Sequence, residues 1–314
     1  MSAPMDRRTF LGTSAAAAAG GVLGGSFGNA FGGVLGPVGG LFAAEPSKPA
    51  APSAARLGWE PCCSMYTFRR FPFYEAIEKI AALGFRAVEP AFFLALDKAR
   101  PDLKTGESLA PEVRKELKAR LADRGMRMPN FYSDVGADAA RNRKIFEFAK
   151  EMGVRAIIAE PPPEALPGIE KLCEEFAIDL GIHHHAKGLS RYWSPESILE
   201  ACKGRGKRIG ACVDTGHWVR SGLIPVECLK KLEGHIVAVH LKDVIESGRP
   251  EARDVPLGTG KADLAAVLKE LRRQGIKGYP SIEYEHDSEK LVDDVRQCVA
   301  FVEAEARKLA GKGG

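Results

Sequence analysis

Four apolar stretches of this 314-residue chain each carry, at or near their end, a side chain that can bind a metal ion. These side chains are Glu160, Asp214, His240 and Glu283. A carboxylate at the end of a buried strand has to be paired, hydrogen-bonded or bound to a metal, because burying an isolated charge is costly. The stretches repeat one pattern, so we expect them to be strands of one sheet whose ends share one site.

Strand alternation predicts which side chains share that site, because successive residues of a strand point to opposite faces. Around His240, the apolar Val237 and Val239 suit packing against helices. His240 and Lys242 then share the opposite face. The same argument turns further side chains toward the site, namely Glu89, Glu160, His183, His185, Asp214, Glu283 and Glu285.

Two glutamates, one aspartate and one histidine form a plausible ligand set for a single divalent ion. Mixed carboxylate and imidazole ligands suit Mn, Co, Zn or Mg, so the predicted cofactor is one divalent ion from this group. The structural alternative is a set of ion pairs between these carboxylates, Lys242 and nearby arginines. Three carboxylates this close repel one another unless a cation neutralises them, so without metal we expect raised carboxylate pKa values.

Residues beyond 56 alternate short apolar runs with amphipathic segments eight times. The predicted strands are 62–67, 86–91, 126–131, 154–160, 178–184, 209–214, 236–242 and 279–285. The predicted helices are 73–83, 111–123, 137–152, 164–176, one opening at 194–196, then 226–232, 262–274 and 289–309. Eight β-then-α units favour an α/β fold with parallel strands, a single (β/α)8 TIM barrel. The doubly wound alternative would want a Gly-rich phosphate turn after the first strand, and none is there.

The N-terminus reads as a leader. Asp6-Arg7-Arg8-Thr9-Phe10-Leu11 is similar to the twin-arginine export motif, and a weakly apolar, Ala/Gly-rich region follows it. This region is long enough to span a membrane, but dense Gly and sparse Leu disfavour a stable anchor. We therefore predict a twin-arginine-type signal peptide over 1–44, a Pro/Ala/Ser linker over 45–56 and the barrel over 57–314. The expected location is the periplasm.

Composition limits the partners. The net charge is +4 without a basic run, so nothing indicates a nucleic-acid partner. The seven cysteines are scattered without CxxC spacing, and several lie in apolar runs. This favours buried thiols over a disulfide framework. The sequence leaves a homo-oligomer open.

The strand-end motifs resemble those of the sugar phosphate isomerase/epimerase family of xylose-isomerase-like barrels. The resemblance rests on Glu160, Asp214-Thr-Gly-His217, His240-Leu-Lys-Asp243 and Ile282-Glu283, and it is extended by His183-His-His185 and Pro256-Leu-Gly-Thr-Gly260. It implies that Glu160, Asp214, His240 and Glu283 bind the metal. It also implies that the two glutamates act as acid and base, and that His217 contacts the substrate, a small carbohydrate.

Further residues are expected at the substrate pocket. Lys242 could stabilise a developing oxyanion, since it shares a face with His240. His183, His185 and Glu89 are predicted to contact substrate, and Trp218 either stacks on a sugar ring or packs in the core. The segment Gly258-Thr-Gly-Lys261 is followed by Ala262, so it is not a P-loop, and we interpret it as a turn before a helix.

The first hypothesis is an isomerase or epimerase that transfers a proton through an enediolate. The alternatives are a metal-dependent lyase or hydrolase of a modified sugar, and a non-catalytic sugar-binding barrel. Glu246 and Leu166 stand where ketose 3-epimerases of the family carry Arg and Glu, which argues against simple ketohexose epimerisation. The related three-zinc endonucleases need histidines on the second and third strands and an Asp-x-His after the seventh. Glu89, Asn130 and Asp254-Val-Pro256 stand nearby here, which argues against that chemistry.

Overall fold

The computed structural model describes residues 52–311, and in it strands alternate with helices as the sequence predicts. The barrel strands are β1 (Cys62–Ser64), β2 (Ala87–Glu89), β3 (Asn130–Tyr132), β4 (Ala156–Ala159), β5 (Asp179–Ile182), β6 (Ile209–Asp214), β7 (Ile236–Leu241) and β10 (Ser281–Ile282). A small antiparallel pair, β8 (Asp243–Val244) and β9 (Asp254–Val255), lies between β7 and β10 in the chain. The observed strands are mostly shorter than the predicted ones, because the barrel loops begin soon after the hydrogen-bonded core.

The eight strands pair in the order β2-β1-β10-β7-β6-β5-β4-β3, and all of these pairs are parallel. The two outer strands of this order meet through parallel bridges, Ala87 to Arg127 and Ala91 to Tyr132. The sheet therefore curls into a nearly closed barrel, which confirms the predicted fold class. In such a barrel all strand C-termini lie at the same end, where active sites are built.

Helices surround the barrel and follow the predicted segments closely. They are α1 (Phe73–Ala82), α2 (Pro111–Ala122), α3 (Ala139–Met152), α4 (Leu166–Phe176), α5 (Pro195–Cys202), α6 (Thr215–Arg220), α7 (Pro225–Lys231), α8 (Leu264–Arg273) and α9 (Leu291–Ala310). Their starts have local causes. Asp138 accepts hydrogen bonds from the amides of Ala140 and Arg141, so α3 begins two residues later than predicted. Ser194 and Ser197 form a reciprocal capping box ahead of α5.

The core has two layers. Inside the barrel, Ala156, Ile158, Cys212 and Ala238 form a small apolar cluster. Gly181 completes that layer, because a Cβ there would crowd Ile158 and Cys212. The much larger second cluster fills the space between strands and helices. This division confirms the predicted alternation, since consecutive residues of a strand belong to different layers.

The cysteines behave as small hydrophobes. All seven are free and buried, as the sequence predicts. Burial is the main cause that raises their pKa values, for example to about 12 for Cys173. They therefore contribute packing rather than cross-links.

Part of the predicted linker packs against the barrel. Residues Ala54–Leu57 form a short 3-10 helix in which Ala54 is fully buried. The amide of Ser53 donates to the carboxylate of Glu303 on α9 at 2.7 Å. The predicted twin-arginine segment lies outside the described residues. Among residues 52–311, no helix has the length and apolar character needed to cross a bilayer.

Candidate metal centre

Three of the four predicted ligands meet at the C-terminal mouth of the barrel. Asp214 ends β6, His240 lies near the end of β7, and Glu283 follows β10. The Nδ1 atom of His240 lies 3.0 Å from Glu283 Oε2 and 3.8 Å from Asp214 Oδ2. His183, which follows β5, joins this group with Nε2 3.7 Å from Asp214 Oδ2. These four side chains can offer two nitrogens and two oxygens to one point.

Three buried polar atoms of this group make no assigned hydrogen bond, although two of them lie at ion-pair distance from Lys242 or Glu283. These atoms are His183 Nε2, Asp214 Oδ2 and His240 Nδ1, which all face the same space. Buried polar atoms are nearly always satisfied, so a cluster of exceptions needs an explanation. A cation bound between them would satisfy all three.

Glu160 belongs to a neighbouring group. Its carboxylate contacts His185 closely, lies 3.4 Å from His183 Nδ1 and accepts a hydrogen bond of 2.7 Å from Ser190 Oγ. Burial alone would raise the pKa of Glu160, but hydrogen bonds with His183 and His185 hold it below its ordinary value. His183 thus links the two groups, with one ring nitrogen toward Glu160 and the other toward Asp214.

Glu89 supports His240 from behind. It is almost fully buried, and its Oε1 lies 2.6 Å from His240 Nε2. Its other oxygen accepts hydrogen bonds from Ser281 Oγ at 2.7 Å and from Asn130 Nδ2 at 3.1 Å. A carboxylate on one ring nitrogen fixes the tautomer and leaves the other free to ligate. The structure therefore places Glu89 behind the imidazole, away from the space that a substrate could enter.

Lys242 places an ammonium group among the carboxylates. Its side chain is fully buried, and Nζ lies 3.1 Å from Asp214 Oδ2, 3.2 Å from Glu283 Oε2 and 2.9 Å from Glu285 Oε1. Its backbone is held by Thr215, whose hydroxyl donates to Lys242 O and accepts from Lys242 N. Both the side chain and the backbone of Lys242 are therefore held in place within the site.

The expected rise in carboxylate pKa is wrong for this cluster. Burial acts to raise the pKa of Asp214, Glu283 and Glu285, but the nearby Lys242 ammonium lowers it, and all three lie below their ordinary values. The sequence argument considered only the repulsion among the carboxylates. It omitted the positive charge of Lys242, which the fold places between them.

His217 lies against this ammonium. Its Nε2 is 3.2 Å from Lys242 Nζ, and its backbone amide donates to Asp214 Oδ1 at 2.9 Å. Burial, followed by the charge of Lys242, lowers the pKa of His217 well below its usual value. The ring is therefore neutral, and only a small fraction of it is exposed.

Ion pairs with Lys242 and a nearby arginine, which the sequence left open as an alternative, are present in the structure, but the sequence did not identify Arg220 as that arginine. Arg220 on α6 donates to Glu285 Oε2 at 2.8 Å, to Ala252 O at 3.0 Å and, by a short contact, to Asp254 Oδ1. Burial, followed by the charge of Glu285, raises the pKa of Asp254 to about 7. The sequence offered two signals, an inward Glu285 on the last strand and an acidic Asp254 in the loop after β7. Neither indicated Arg220 as the partner.

Trp218 and His184 form a packed pair under the site. Trp218 is fully buried, and its ring stacks on His184 with centroids 5.0 Å apart. His184 Nε2 accepts the backbone amide of Asp214 at 3.0 Å, which fixes the end of β6. Burial lowers the pKa of His184 to about 3. The structure therefore places Trp218 in the core, where it has no free face for a sugar ring.

The glycine-rich segment after β9 binds an internal carboxylate. The side chain of Asp243 accepts hydrogen bonds from the amides of Val244, Gly258, Gly260 and Ala262, at 2.8–3.0 Å. Gly260 leaves no room for a Cβ beside Asp243. These amides are used within the fold, so the segment is a structural turn, in agreement with the sequence interpretation.

Two cavities lie at the opposite end of the barrel. One cavity of about 620 Å³ and one of about 100 Å³ lie there, both lined in part by Trp59, Arg155 and Tyr279. The potential metal-binding groups of the described residues lie at the other end. We therefore assign the candidate active site to the C-terminal mouth.

The residues present fit a divalent cation. The donor set of two imidazole nitrogens and two carboxylate oxygens suits Mn, Co or Zn, and three of its atoms are buried without hydrogen-bond partners. Glu160, directly after β4, is a further donor in the neighbouring group with His183 and His185.

The family comparison agrees with this architecture. The xylose isomerase-like TIM barrel family model matches residues 77–304. The chain belongs to this family.

Two curated proteins are related to part of the chain. The rhizopine catabolism protein MocC of Rhizobium meliloti is 29% identical over 127 residues, which are 36% of this chain and 38% of that protein. The inosose dehydratase of Clostridium botulinum is 31% identical over 138 residues, or 38% of this chain and 46% of that protein. The chain thus spans less than half the length of either relative.

Solved structures share the fold over most of the chain. An uncharacterised protein from Parabacteroides distasonis is 28% identical with a TM-score of 0.63, over 79% of this chain and 99% of that one. A D-tagatose 3-epimerase-like protein is 20% identical with a TM-score of 0.63, over 80% and 99%. An IolI protein with a bound zinc atom is 15% identical with a TM-score of 0.63, over 79% and 98%.

Proposed function

We propose that this protein is a divalent-metal-dependent enzyme that transfers a proton at the carbon beside a carbonyl of a carbohydrate or related polyhydroxy compound. The observation that carries the proposal is the opposition of Glu160 and Glu283. Three strands separate β4 from β10 on one side of the barrel, namely β5, β6 and β7. Three more, β1, β2 and β3, separate them on the other side. The two glutamates therefore follow strands on opposite sides of the mouth.

Two opposed carboxylates suit proton transfer in an isomerase or epimerase. One removes a proton from a carbon, and the other returns a proton to the same carbon from the opposite side or to its neighbour. Both glutamates have pKa values below the ordinary range, so both are ionised at neutral pH. Either can therefore act as the base, and the glutamate that delivers a proton first takes that proton from solvent. His183 and His185 hold Glu160 in place, while Lys242 and His240 hold Glu283.

Asp214, His240 and Glu283 would hold the metal, with the fourth donor supplied by Glu160 or His183. A divalent ion polarises a bound carbonyl and acidifies the neighbouring C–H. Lys242 adds a fixed positive charge at the same place, which would stabilise the negative oxygen of an enediolate. The neutral ring of His217, against Lys242, can exchange a hydrogen bond with a substrate hydroxyl.

Simple ketohexose 3-epimerisation is not part of the proposal. Leu166, where such enzymes are expected to carry Glu, is buried in the core at the start of α4. Glu246, where they are expected to carry Arg, is exposed on the loop after β8. Neither residue offers the substrate contact that the epimerase pattern requires.

Dehydration is the second candidate, and the inosose dehydratase relative favours it. Elimination of water starts with the same proton removal, but the second group then protonates a leaving hydroxyl instead of carbon. His185, in contact with Glu160 and partly exposed, could deliver that proton. The substrate class would then be a cyclic polyol ketone.

The test is a substrate screen on protein reconstituted separately with Mn, Co, Zn and Mg. Ketoses and cyclic polyol ketones are incubated in deuterated water and analysed by mass spectrometry and NMR. An isomerase or epimerase gives a product of unchanged composition that contains solvent deuterium at carbon. A dehydratase gives a product lighter by one water. Metal-dependent ligand binding without deuterium exchange or product would refute both and indicate a sugar-binding barrel.

A further inference from the structure

Lys242 contacts the same carboxylate oxygens that the candidate metal group offers. His240 Nδ1 faces Asp214 Oδ2 and Glu283 Oε2, which belong to the group of potential ligands. The Lys242 ammonium lies 3.1 Å and 3.2 Å from these same two atoms. One pair of oxygens therefore serves two cationic partners.

Two neighbouring residues, Thr215 and Gly216, position Lys242 in the site. Gly216 lies beside the Lys242 side chain, and a Cβ at Gly216 would come within 2.5–2.9 Å of its stem carbons. The glycine in the segment after β6 thus opens the channel through which the stem reaches the carboxylates. Thr215 fixes the lysine backbone with two hydrogen bonds. The position of Lys242 in the site is therefore fixed by these two neighbours.

Glu285 gives the ammonium a third acceptor outside the ligand group. It lies 2.9 Å from Lys242 Nζ, and Arg220 holds its other oxygen at 2.8 Å. The backbone amide of Glu285 donates to Asp254 Oδ2 at 2.6 Å. Glu285 is therefore held from two sides, and it can keep the lysine paired when the ligand oxygens are engaged elsewhere.

Building on the metal site of the proposed function, we propose that Lys242 is a resident counter-ion that competes with the metal for Asp214 and Glu283. In metal-free protein the ammonium neutralises the carboxylates and keeps the ligand group assembled. In the loaded protein its positive charge opposes the divalent ion across the shared oxygens. Lys242 would thus limit metal affinity and make the ion exchangeable.

The test measures metal affinity rather than activity. Binding of Zn²⁺ and Mn²⁺ alone is measured by calorimetry and chelator competition for the wild type, Lys242→Met and Lys242→Gln. Removing a unit charge about 3 Å from two ligand oxygens should tighten binding on the order of tenfold or more. Lys231→Met is the matched control, because it removes an exposed lysine that pairs with Glu196, and the metal affinity of this variant should equal the wild-type value.

The outcomes separate the two proposals. If the wild type binds neither ion, the proposed metal-dependent function fails. If the wild type binds metal but the Lys242 variants bind it equally or more weakly, only the counter-ion role is overturned. Lys242 variants that fold only when metal is supplied support the counter-ion role, because a cation is then required in place of the ammonium. Variants that stay unfolded even with metal contradict it, since the ion could not replace the lysine.

Discussion

Arg220→Met should strongly destabilise the protein, because it removes the only described cationic partner that Asp254 contacts by an ion pair. Arg220 and Asp254 have side chains that are 8% and 0% exposed, and Glu285, the second carboxylate on Arg220, is 23% exposed. Breaking such a buried pair on one side leaves a carboxylate without compensation. The usual cost is about 3–5 kcal/mol of unfolding free energy. For a domain of this size, that corresponds to a fall in Tm of about 6–20 °C.

The loss of unfolding free energy caused by Arg220→Met should depend on pH, and the titration of Asp254 determines the direction. The folded-state pKa of Asp254 is about 7, above its unfolded value, so the folded protein binds more protons than the unfolded chain between these values. Stability contributed by this group therefore falls as pH rises toward 7. Without Arg220 that pKa rises further, since a favourable charge is lost. The variant should consequently lose less stability at pH 5 than at pH 8.

The assay is thermal and urea unfolding of both proteins from pH 5 to 8. Arg249→Met is the control, because Arg249 pairs with Glu251 where both side chains are more than half exposed. Such an exposed pair contributes about 0–1 kcal/mol. Adding Asp254→Asn to Arg220→Met should recover part of the loss by removing the stranded charge. A loss below about 1 kcal/mol, or a loss that is equal across the pH range, would refute the reasoning.

The remaining predictions concern the fourth ligand, the loop and export. If Glu160 is the fourth donor, Glu160→Gln should weaken Zn²⁺ binding in calorimetry more than His183→Gln does; the reverse order would assign that donor to His183. Asp243→Ala should lower Tm by several degrees, because it leaves four loop amides without their acceptor, and protease digestion should then cut near residue 259. Replacing both Arg7 and Arg8 by Lys should keep the full-length protein in the cytoplasm, and its normal appearance in the periplasmic fraction would contradict a twin-arginine leader.

The sequence was sufficient for the fold because the fold depends on local and repeating signals. Apolar runs recur eight times, and several helices have local start signals, such as the caps Asp138 and Ser194. Alternation also predicted which strand-end side chains point inward, and His183, Asp214, His240 and Glu283 do come together in one group. The helix α6 was missed, because it is six residues long and starts directly at the end of β6.

Contacts between distant elements could not be predicted in the same way. Arg220 reaches Asp254 and Glu285, which are 34 and 65 residues away along the chain. No periodicity couples such positions, because they lie on α6, on β9 and after β10, which are separate elements of the chain. Trp218 shows the same limit, because only its stacking on His184 decides between a sugar platform and the core.

The distribution of charge shows why strand-end residues alone do not define the chemistry of the site. Asp214, His240 and Glu283 could have been placed from alternation, and their repulsion would then demand a cation. Lys242 supplies one positive charge even without a metal ion. This charge keeps the carboxylates of Asp214 and Glu283 ionised. Asp214 Oδ2 and His240 Nδ1 have ion-pair contacts, with Lys242 and Glu283, but no assigned hydrogen bond. The lysine therefore assembles the site electrostatically, while the unsatisfied atoms retain the capacity to bind a second, divalent cation.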